Sequence, residues 1–334
     1  MKIIVDAMGS DQRPTPDTQG AVDAANEYGI EITLVGDETR VRAALSRLSQ
    51  VPPSVSVLHA AQEIEMREHP ALAVKEKKDS SIVVGIEQLK RGNADAFVSM
   101  GNTGATLAAS VLYLQRLKGV HRPALGALFP TPQGPSLLID VGANTDCKPE
   151  WLEQFAIMGD AYMRATLGLE QPRVALLANG EEDTKGNQTV QAAHALLRER
   201  ARATKLNFIG NVEGKDIAAH LADVIVADGF AGNIALKTAE GVSKMLNDLI
   251  RREIKRNPLT MAGGALAMPA FNKVKKILDY TEYGGAPLLG VNGVVIIGHG
   301  RSNAVAVKNA IRVAKRSVES NILEIIRRGV APSA

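Results

Sequence analysis

Short, almost continuous apolar runs recur along the chain and alternate with longer segments of helical periodicity. The runs include KIIVDAM, ADAFVSM and DVIVADG, and most of them lack the apolar/polar alternation of a half-exposed strand. Such runs predict strands buried on both faces, and helical patterns lie at 16–28, 38–48, 150–167, 187–204 and 302–328. This alternation predicts an α/β fold with a doubly wound, mainly parallel sheet.

No low-complexity linker and no clear repeat divides the chain, so we expect a single α/β domain over residues 1–334. After the segment DGFAGN, apolar residues at helical spacing, from Val242 to Ile254, lead into the uncharged segment PLTMAGGALAMPAF. The pattern predicts a projecting helical hairpin at 237–280 that serves as a membrane or dimer element.

Glycine combined with Asp, Asn, Ser or Thr follows most of the predicted strands, as in DAMGSD, SMGNTGA, DVGANTD and DGFAGN. One such loop is an ordinary turn. Seven of them at comparable places predict one polar, glycine-lined cleft, because ligands of doubly wound folds bind at the carboxyl ends of the strands. The first N–H groups of a helix lack partners, so a small anion is the favoured ligand.

Composition narrows the class of protein. The 334 residues are 45% hydrophobic, which is enough for a large core. A net charge of +3 with 4% aromatic residues argues against a nucleic-acid partner. The single cysteine, Cys147, favours a reducing cytoplasm, and the N-terminal apolar run is too short for an export signal.

Common nucleotide and hydrolase motifs are missing from the sequence. There is no Walker A pattern, no G-x-G-x-x-G after the first strand, no G-x-S-x-G elbow, no H-E-x-x-H and no zinc-type cluster. Cys147 has no evident base, so we interpret it as an inert thiol. An anion site without a protein nucleophile suits inorganic phosphate as the attacking group. We expect no cofactor and assign no metal ligands.

Seven segments in order carry a resemblance to a known family: DAMGSD, SMGNTGA, IDVGAN, LLANGEEDTKGN, GNVEGKD, DGFAGNIALKTAEG and YGGAPLLGVNGVVIIGHG. From Asp6 to about Ser302 the chain resembles the bacterial acyl-ACP:phosphate acyltransferases of phospholipid synthesis. The resemblance implies fatty acyl transfer from acyl carrier protein to phosphate, giving acyl phosphate. It also implies a fold like isocitrate and isopropylmalate dehydrogenases and the phosphotransacetylases. The chain departs from the family pattern at Ser10, Met100, Ala231 and Arg301.

The resemblance and the loop chemistry together suggest site residues. We predict catalytic roles for Lys185, as a cation for phosphate or the thioester oxyanion, and for Asn233, as a donor to the carbonyl oxygen. The predicted phosphate- and substrate-binding residues are Asp6, Gly9, Gly101, Asn102, Thr103, Gly104, Asp140, Asn144, Asp228, Gly232 and His299. Structural alternatives stay open: helix capping for the Asn and Asp residues, a solvated loop for Lys185 and a backbone-bonded loop for His299.

The uncharged segment lies between two basic flanks, which is typical of a membrane-surface element. The residues predicted to enter the membrane are Leu259, Met261, Leu266, Met268 and Phe271. Packing on a partner subunit, or docking of acidic acyl carrier protein on the basic flanks, are the alternatives. A cytoplasmic, peripherally membrane-associated homodimer is therefore expected, with acyl carrier protein, inorganic phosphate and the downstream glycerol-3-phosphate acyltransferase as partners.

Two other functions remain in competition at this point. A phosphotransacetylase-like enzyme would use acyl-CoA as the donor instead of acyl carrier protein. A non-catalytic membrane scaffold would need only the basic-flanked segment, and it would leave the glycine loops without a purpose. A dehydrogenase of the related fold is disfavoured because the dinucleotide motif is missing.

Overall fold

The computed structural model describes residues 1–278 and 283–331, with the backbone alone described at 275–278. The strands are β1 (Lys2–Asp6), β2 (Glu31–Gly36), β3 (Val55–His59), β4 (Ala96–Ser99), β5 (Ala124–Phe129), β6 (Ser136–Ile139), β7 (Val174–Leu177), β8 (Phe208–Val212), β9 (Val224–Val226), β10 (Ala286–Leu289) and β11 (Val294–Ile297).

The helices are α1 (Thr15–Tyr28), α2 (Glu38–Leu45), α3 (Pro70–Glu76), α4 (Ser81–Lys90), α5 (Thr103–Ala109), α6 (Pro149–Leu167), α7 (Gln188–Ala203), α8 (Gly214–Ala219), α9 (Gly229–Ile254), α10 (Pro258–Leu278), α11 (Ala304–Glu319) and α12 (Ile322–Val330). A π-helical turn, Ser110–Leu114, continues α5. The predicted helices at 16–28, 38–48, 150–167 and 187–204 correspond to α1, α2, α6 and α7.

The strands form one sheet in the order β3-β2-β1-β4-β11-β10-β5-β6-β9-β7-β8. Pairing is parallel from β3 to β11 and again from β6 to β8. It is antiparallel around β10 and β5 in the centre. The mainly parallel α/β sheet predicted from the buried runs is confirmed, and its two parallel halves run in opposite directions.

Two apolar cores lie on the two faces of this sheet, and neighbouring residues of one strand enter different cores. In β1, Ile3 and Val5 pack with the core beneath α1, α6 and α11, whereas Ile4 packs with the core beneath α4 and α5. A strand buried on both faces needs apolar residues at consecutive positions. This explains why the strand signals in the sequence are continuous.

The prediction of one helix over 302–328 is wrong, because the segment forms two helices, α11 and α12. Asn321 separates them with φ of 55°, a left-handed conformation that ends a right-handed helix. Asparagine tolerates this conformation better than most residues, since its short amide side chain bonds locally. The apolar periodicity continues across the break and conceals it.

Helices α9 and α10 form a hairpin with the turn between Ile254 and Pro258. Helix α9 begins at Gly229, earlier than the predicted start at 237, and beyond Gly232 none of its residues is fully buried. Gly264 of α10 packs against Ile254 of α9. Of the predicted hairpin, 279–280 lies outside the described residues. Within the described chain, no helix has both the length and the apolar content to cross a bilayer.

Candidate active site

A cleft of about 420 Å³ opens at the centre of the sheet. Its walls are the start of α5 after β4, the turn after β6, one face of α9, the start of β10 and the turn after β11. Four of the seven glycine-containing segments predicted from the sequence therefore contribute residues to this cleft. The lining side chains with polar groups are Thr103, Asn233, Lys237, Glu240, Tyr283 and His299.

The β4–α5 junction contains one residue that holds the loop in place and two that line the cleft. Asn102 caps α5 by accepting from the Ala105 N–H at 3.0 Å, and its amide donates to the Glu65 carbonyl at 3.1 Å. Its side chain is therefore engaged in holding the loop. Thr103 and Gly104, which follow it, line the cleft. This junction matches the predicted cradle in position, but the asparagine contributes the helix cap.

Asp6, Gly9 and Gly101 lie behind the cleft wall. Asp6 is buried and accepts from the Met8 N–H at 3.0 Å and from the Ser99 hydroxyl at 2.7 Å. Burial raises the pKa of Asp6. A side chain at Gly9 would meet the Gly101 backbone nitrogen at 2.7 Å, so the two loops approach closely. These residues fix the loops after β1 and β4 relative to each other.

Asp140, at the end of β6, organises the turn that forms the opposite wall. Its Oδ1 accepts from the N–H groups of Leu125, Gly142 and Ala143 at 3.0, 3.2 and 3.0 Å. Its Oδ2 accepts from the Asn144 N–H at 2.7 Å and from the Asn144 side-chain amide at 2.9 Å. Burial raises the pKa of Asp140, and the N–H donors act in the opposite direction.

The start of α9 brings the predicted catalytic asparagine to the cleft. Asp228 caps the helix by accepting from the N–H groups of Phe230 and Ala231 at 3.0 and 2.8 Å. A Cβ at Gly232 would lie 1.9 Å from the Asp140 carbonyl oxygen, so the helix touches the β6 turn directly. Asn233 then donates to the Val141 carbonyl at 2.9 Å and faces the cavity.

A charge cluster lies further along α9. Glu240 accepts from Lys237 at 3.0 and 3.1 Å and from Arg301 at 3.0 Å, and its Oε1 lies 3.5 Å from Nε2 of His299. Lysine and arginine supply two positive charges to one carboxylate, which leaves the cluster with one positive charge in excess. Burial lowers the pKa of His299, Lys237 and Arg301 lower it further, and Glu240 acts in the opposite direction.

Lys237, Glu240 and Arg301 were not among the predicted site residues. A signal was present, because Asn233, Lys237 and Glu240 follow at i, i+4 and i+7, a spacing that places all three on one face of a helix. In the structure Arg301 is a partner of Glu240.

Lys185 lies away from these groups, on the exposed loop after β7. Its backbone N–H donates to the Glu182 carbonyl at 3.0 Å, and its side chain packs against Gly180. It is not one of the residues that line the cleft. Nearby, the carboxylates of Glu181, Glu213 and Asp216 lie within 4.8 Å of one another, but Lys215 pairs with the first two.

The structure thus gathers Thr103, Gly104, Asn233 and His299 of the predicted site around one cavity. Asn102, Asp140, Asp228 and Gly232 support its walls through the contacts described above, and Asn144 lines a neighbouring cavity. Burial raises the pKa of the Cys147 thiol to about 12, which is consistent with the prediction of an inert thiol.

Comparison with known proteins gives a consistent picture. A family model described as "Fatty acid synthesis protein" matches residues 1–325. The phosphate acyltransferase of Dictyoglomus turgidum is 50% identical over 331 residues, covering 99% of this chain and 98% of that protein. The phosphate acyltransferase of Pelotomaculum thermopropionicum is 49% identical over 330 residues, covering 99% and 95%.

Solved structures with similar folds are more distant in sequence. A phosphotransacetylase from Streptococcus pyogenes gives a TM-score of 0.62 at 17% identity, covering 96% of this chain and 94% of that one. A 4-hydroxythreonine-4-phosphate dehydrogenase from Klebsiella pneumoniae gives 0.57 at 13% identity, covering 95% and 98%. At these identities the likeness concerns the fold alone.

Proposed function

The chain belongs to the fatty acid synthesis protein family, and from this premise we propose that it transfers a fatty acyl group from acyl carrier protein to inorganic phosphate. It is an acyltransferase, with phosphate as the acceptor that the names of its relatives specify. Its acyl phosphate product serves phospholipid synthesis. The observation that best supports this function is the set of polar groups that the cleft brings together, with Lys237 as a cation and Asn233 as a hydrogen-bond donor.

In the proposed mechanism, phosphate itself attacks the acyl donor. An oxygen of hydrogenphosphate forms a bond to the thioester carbonyl carbon and the carbon–sulfur bond breaks. The proton that the phosphate loses passes through water to the departing thiolate, so the products are acyl phosphate and a thiol. The protein contributes by holding phosphate and thioester in line and by stabilising the oxyanion that develops on the carbonyl oxygen.

In this proposal Lys237 and Arg301 bind the phosphate. Glu240 pairs with both cations, and it shares them with the incoming anion. The backbone N–H groups of Thr103 and Gly104 complete the anion site from the facing wall. The excess positive charge of the cluster favours the binding of an anion.

Asn233 is proposed as the donor to the thioester carbonyl oxygen. Its amide nitrogen carries two hydrogens, and one is used by the Val141 carbonyl. That bond fixes the amide plane, and the second hydrogen is directed to the substrate. A role for Lys185 rests on the family resemblance alone, and it is proposed as a cation that a bound donor recruits from the exposed loop.

Purified protein incubated with palmitoyl-ACP and radiolabelled phosphate is expected to form an acyl phosphate that hydroxylamine traps. Lys237→Ala should raise the KM for phosphate at least about tenfold, because a hydrogen bond to a charged group is worth about 1.5–3 kcal/mol. Steady-state rates at varied phosphate measure this change.

Lys244→Ala is the matched control, since Lys244 is an exposed lysine on the same helix outside the cleft lining. An unchanged phosphate KM in the Lys237 variant would contradict the proposed anion site. Lys185→Ala with full turnover would remove Lys185 from the mechanism. Palmitoyl-CoA assayed in parallel identifies the donor, and efficient use of CoA with no use of the carrier protein would contradict the proposed substrate.

We further propose that the protein is a homodimer that binds the cytoplasmic membrane surface peripherally through the hairpin. Leu259 and Leu266 of α10 are 83% and 86% exposed, and Met261, Met268 and Phe271 are partly exposed. Apolar side chains displayed near basic residues suit an anionic lipid surface. The apolar residues at helical spacing on α9, from Val242 to Ile254, are proposed to pack in the dimer. The sheet is proposed to share the isocitrate and isopropylmalate dehydrogenase arrangement.

Leu259→Glu combined with Leu266→Glu is expected to abolish co-sedimentation with phosphatidylglycerol vesicles, because each charge opposes entry into the acyl region and repels the anionic surface. Val51→Glu combined with Leu221→Glu is the control, since these exposed apolar residues lie outside the hairpin. Vesicle binding equal to wild type in the hairpin variant would exclude this surface.

A further inference from the structure

A second cavity, of about 450 Å³, lies beside the cleft. Its apolar wall is formed by Leu107, Val111 and Trp151, and Arg116 and Arg122 stand at its rim. None of the residues that line it is acidic. The mechanism proposed above makes no use of this cavity.

The two cavities share their walls. Leu107 lines both, Thr103 and Gly104 line the cleft, and Val111 of the following π-helical turn lines the second cavity. The turn after β6 also contributes to both cavities, because Gly142 lines the cleft and Ala143 lines the second cavity. Helical rise puts Gly104 and Val111 roughly 10 Å apart. The two cavities are therefore neighbours, separated by about the length of a short extended ligand.

The rim of the second cavity carries uncompensated positive charge. The Arg122 guanidinium lies 4.8 Å from the centre of the Trp151 ring and is exposed. The cation–π attraction holds the guanidinium above the indole ring. Arg122 forms no ion pair with any residue in the described part of the chain, and neither does Arg116, which donates to the His121 carbonyl.

The segment that carries Arg122 is held rigidly. Gln154 of α6 donates to the Gly119 carbonyl at 2.8 Å and accepts from the His121 N–H at 2.8 Å. The Leu117 N–H donates to the Gly290 carbonyl at 2.9 Å, which ties the same segment to the end of β10. An arginine positioned before its ligand arrives loses little conformational entropy on binding.

We propose that the second cavity binds the phosphopantetheine arm of the acyl carrier protein, with Arg122 contacting the phosphodiester at its outer end. The inference rests on the proposed function, because it assumes a thioester donor in the cleft. The arm is long, flexible and amide-containing, with an anionic phosphoryl group at one end and sulfur at the other. Its apolar part lies along Leu107, Val111 and Trp151, and its sulfur reaches Asn233.

Binding can be followed without catalysis, because Trp151 is the single tryptophan of the chain. Titration with 4′-phosphopantetheine is expected to change its fluorescence with a midpoint at least about tenfold lower than that for pantetheine, which lacks the phosphoryl group. In Arg122→Ala the midpoints for the two ligands should become similar. Arg122→Lys keeps the charge and should retain part of the preference for 4′-phosphopantetheine over pantetheine. Arg202→Ala, at an exposed position on α7, should behave as wild type.

Kinetics provide the second measurement. Arg122→Ala should raise the KM for acyl-ACP and for acyl-phosphopantetheine at least about tenfold, with the KM for acyl-pantetheine and for inorganic phosphate unchanged. A rise with acyl-ACP alone would mean that Arg122 contacts the protein surface and would overturn the proposal. Equal midpoints for the two fluorescence ligands in wild type would also overturn it. Failure of the proposed function gives a different result: no acyl phosphate forms from any donor in the wild-type protein.

Discussion

Gly232→Ala is expected to reduce acyl transfer by about a hundredfold or more and to lower the free energy of unfolding by about 1–3 kcal/mol. The added methyl carbon would lie 1.9 Å from the Asp140 carbonyl oxygen and 3.5 Å from the Ala227 Cβ. Both neighbours belong to strand ends, so the overlap is relieved mainly by moving α9 away from the turn after β6. That movement carries Asn233 and the charge cluster out of position. Turnover and urea denaturation measure the two effects.

The same helix supplies the control. Gly241 lies in the interior of α9, and a Cβ there would meet nothing within 4 Å. Gly241→Ala should therefore stabilise the protein by up to about 1 kcal/mol, because alanine has the higher helix propensity. A decrease in the free energy of unfolding for Gly232→Ala and an increase for Gly241→Ala would show that the close contact at Gly232, and not alanine in general, causes the loss. Equal activity of the two variants would contradict the argument.

Much of the sheet is predictable because buried parallel strands have a continuous apolar pattern. The runs around Ile4, Val98 and Ile225 all form central strands. The antiparallel centre is not predictable in the same way. Strand direction depends on which strands pair, and β10 pairs with β5, which is distant in sequence. Local periodicity contains no information about such a partner.

The sequence predicts the convergence of some loops, and it does not separate the roles of their side chains. Glycine and polar residues after the strands indicate where loops converge, and Thr103, Gly104, Asn233 and His299 meet in the cleft. The same residue types also cap helices and close turns, as Asn102 and Asp228 do. Sequence cannot separate the two uses, because both need a short polar side chain beside backbone N–H groups.

Asp140→Ala is expected to lower the free energy of unfolding by about 3–5 kcal/mol. The carboxylate accepts from four backbone N–H groups and one side-chain amide, and it is fully buried. An alanine side chain offers no acceptor, and an N–H left without a partner costs about 1–3 kcal/mol where it is buried, as that of Leu125 is, and less in the partly exposed turn. Water that enters the space recovers part of this loss. Urea denaturation at neutral pH measures the change.

Two further variants in the same turn serve as comparisons for Asp140→Ala. Asn144→Ala removes one donor to Asp140 and one to the Pro123 carbonyl but keeps the carboxylate, so its loss should be about 1–2 kcal/mol. Asp146→Ala changes an exposed carboxylate in the same loop and should have an effect within about 0.5 kcal/mol. The loss in the free energy of unfolding is expected to be largest for Asp140→Ala, smaller for Asn144→Ala and smallest for Asp146→Ala. If Asp140→Ala were as stable as Asp146→Ala, the turn after β6 would not depend on its carboxylate, and the close contact with Gly232 would have to be maintained by the packing of α9 alone.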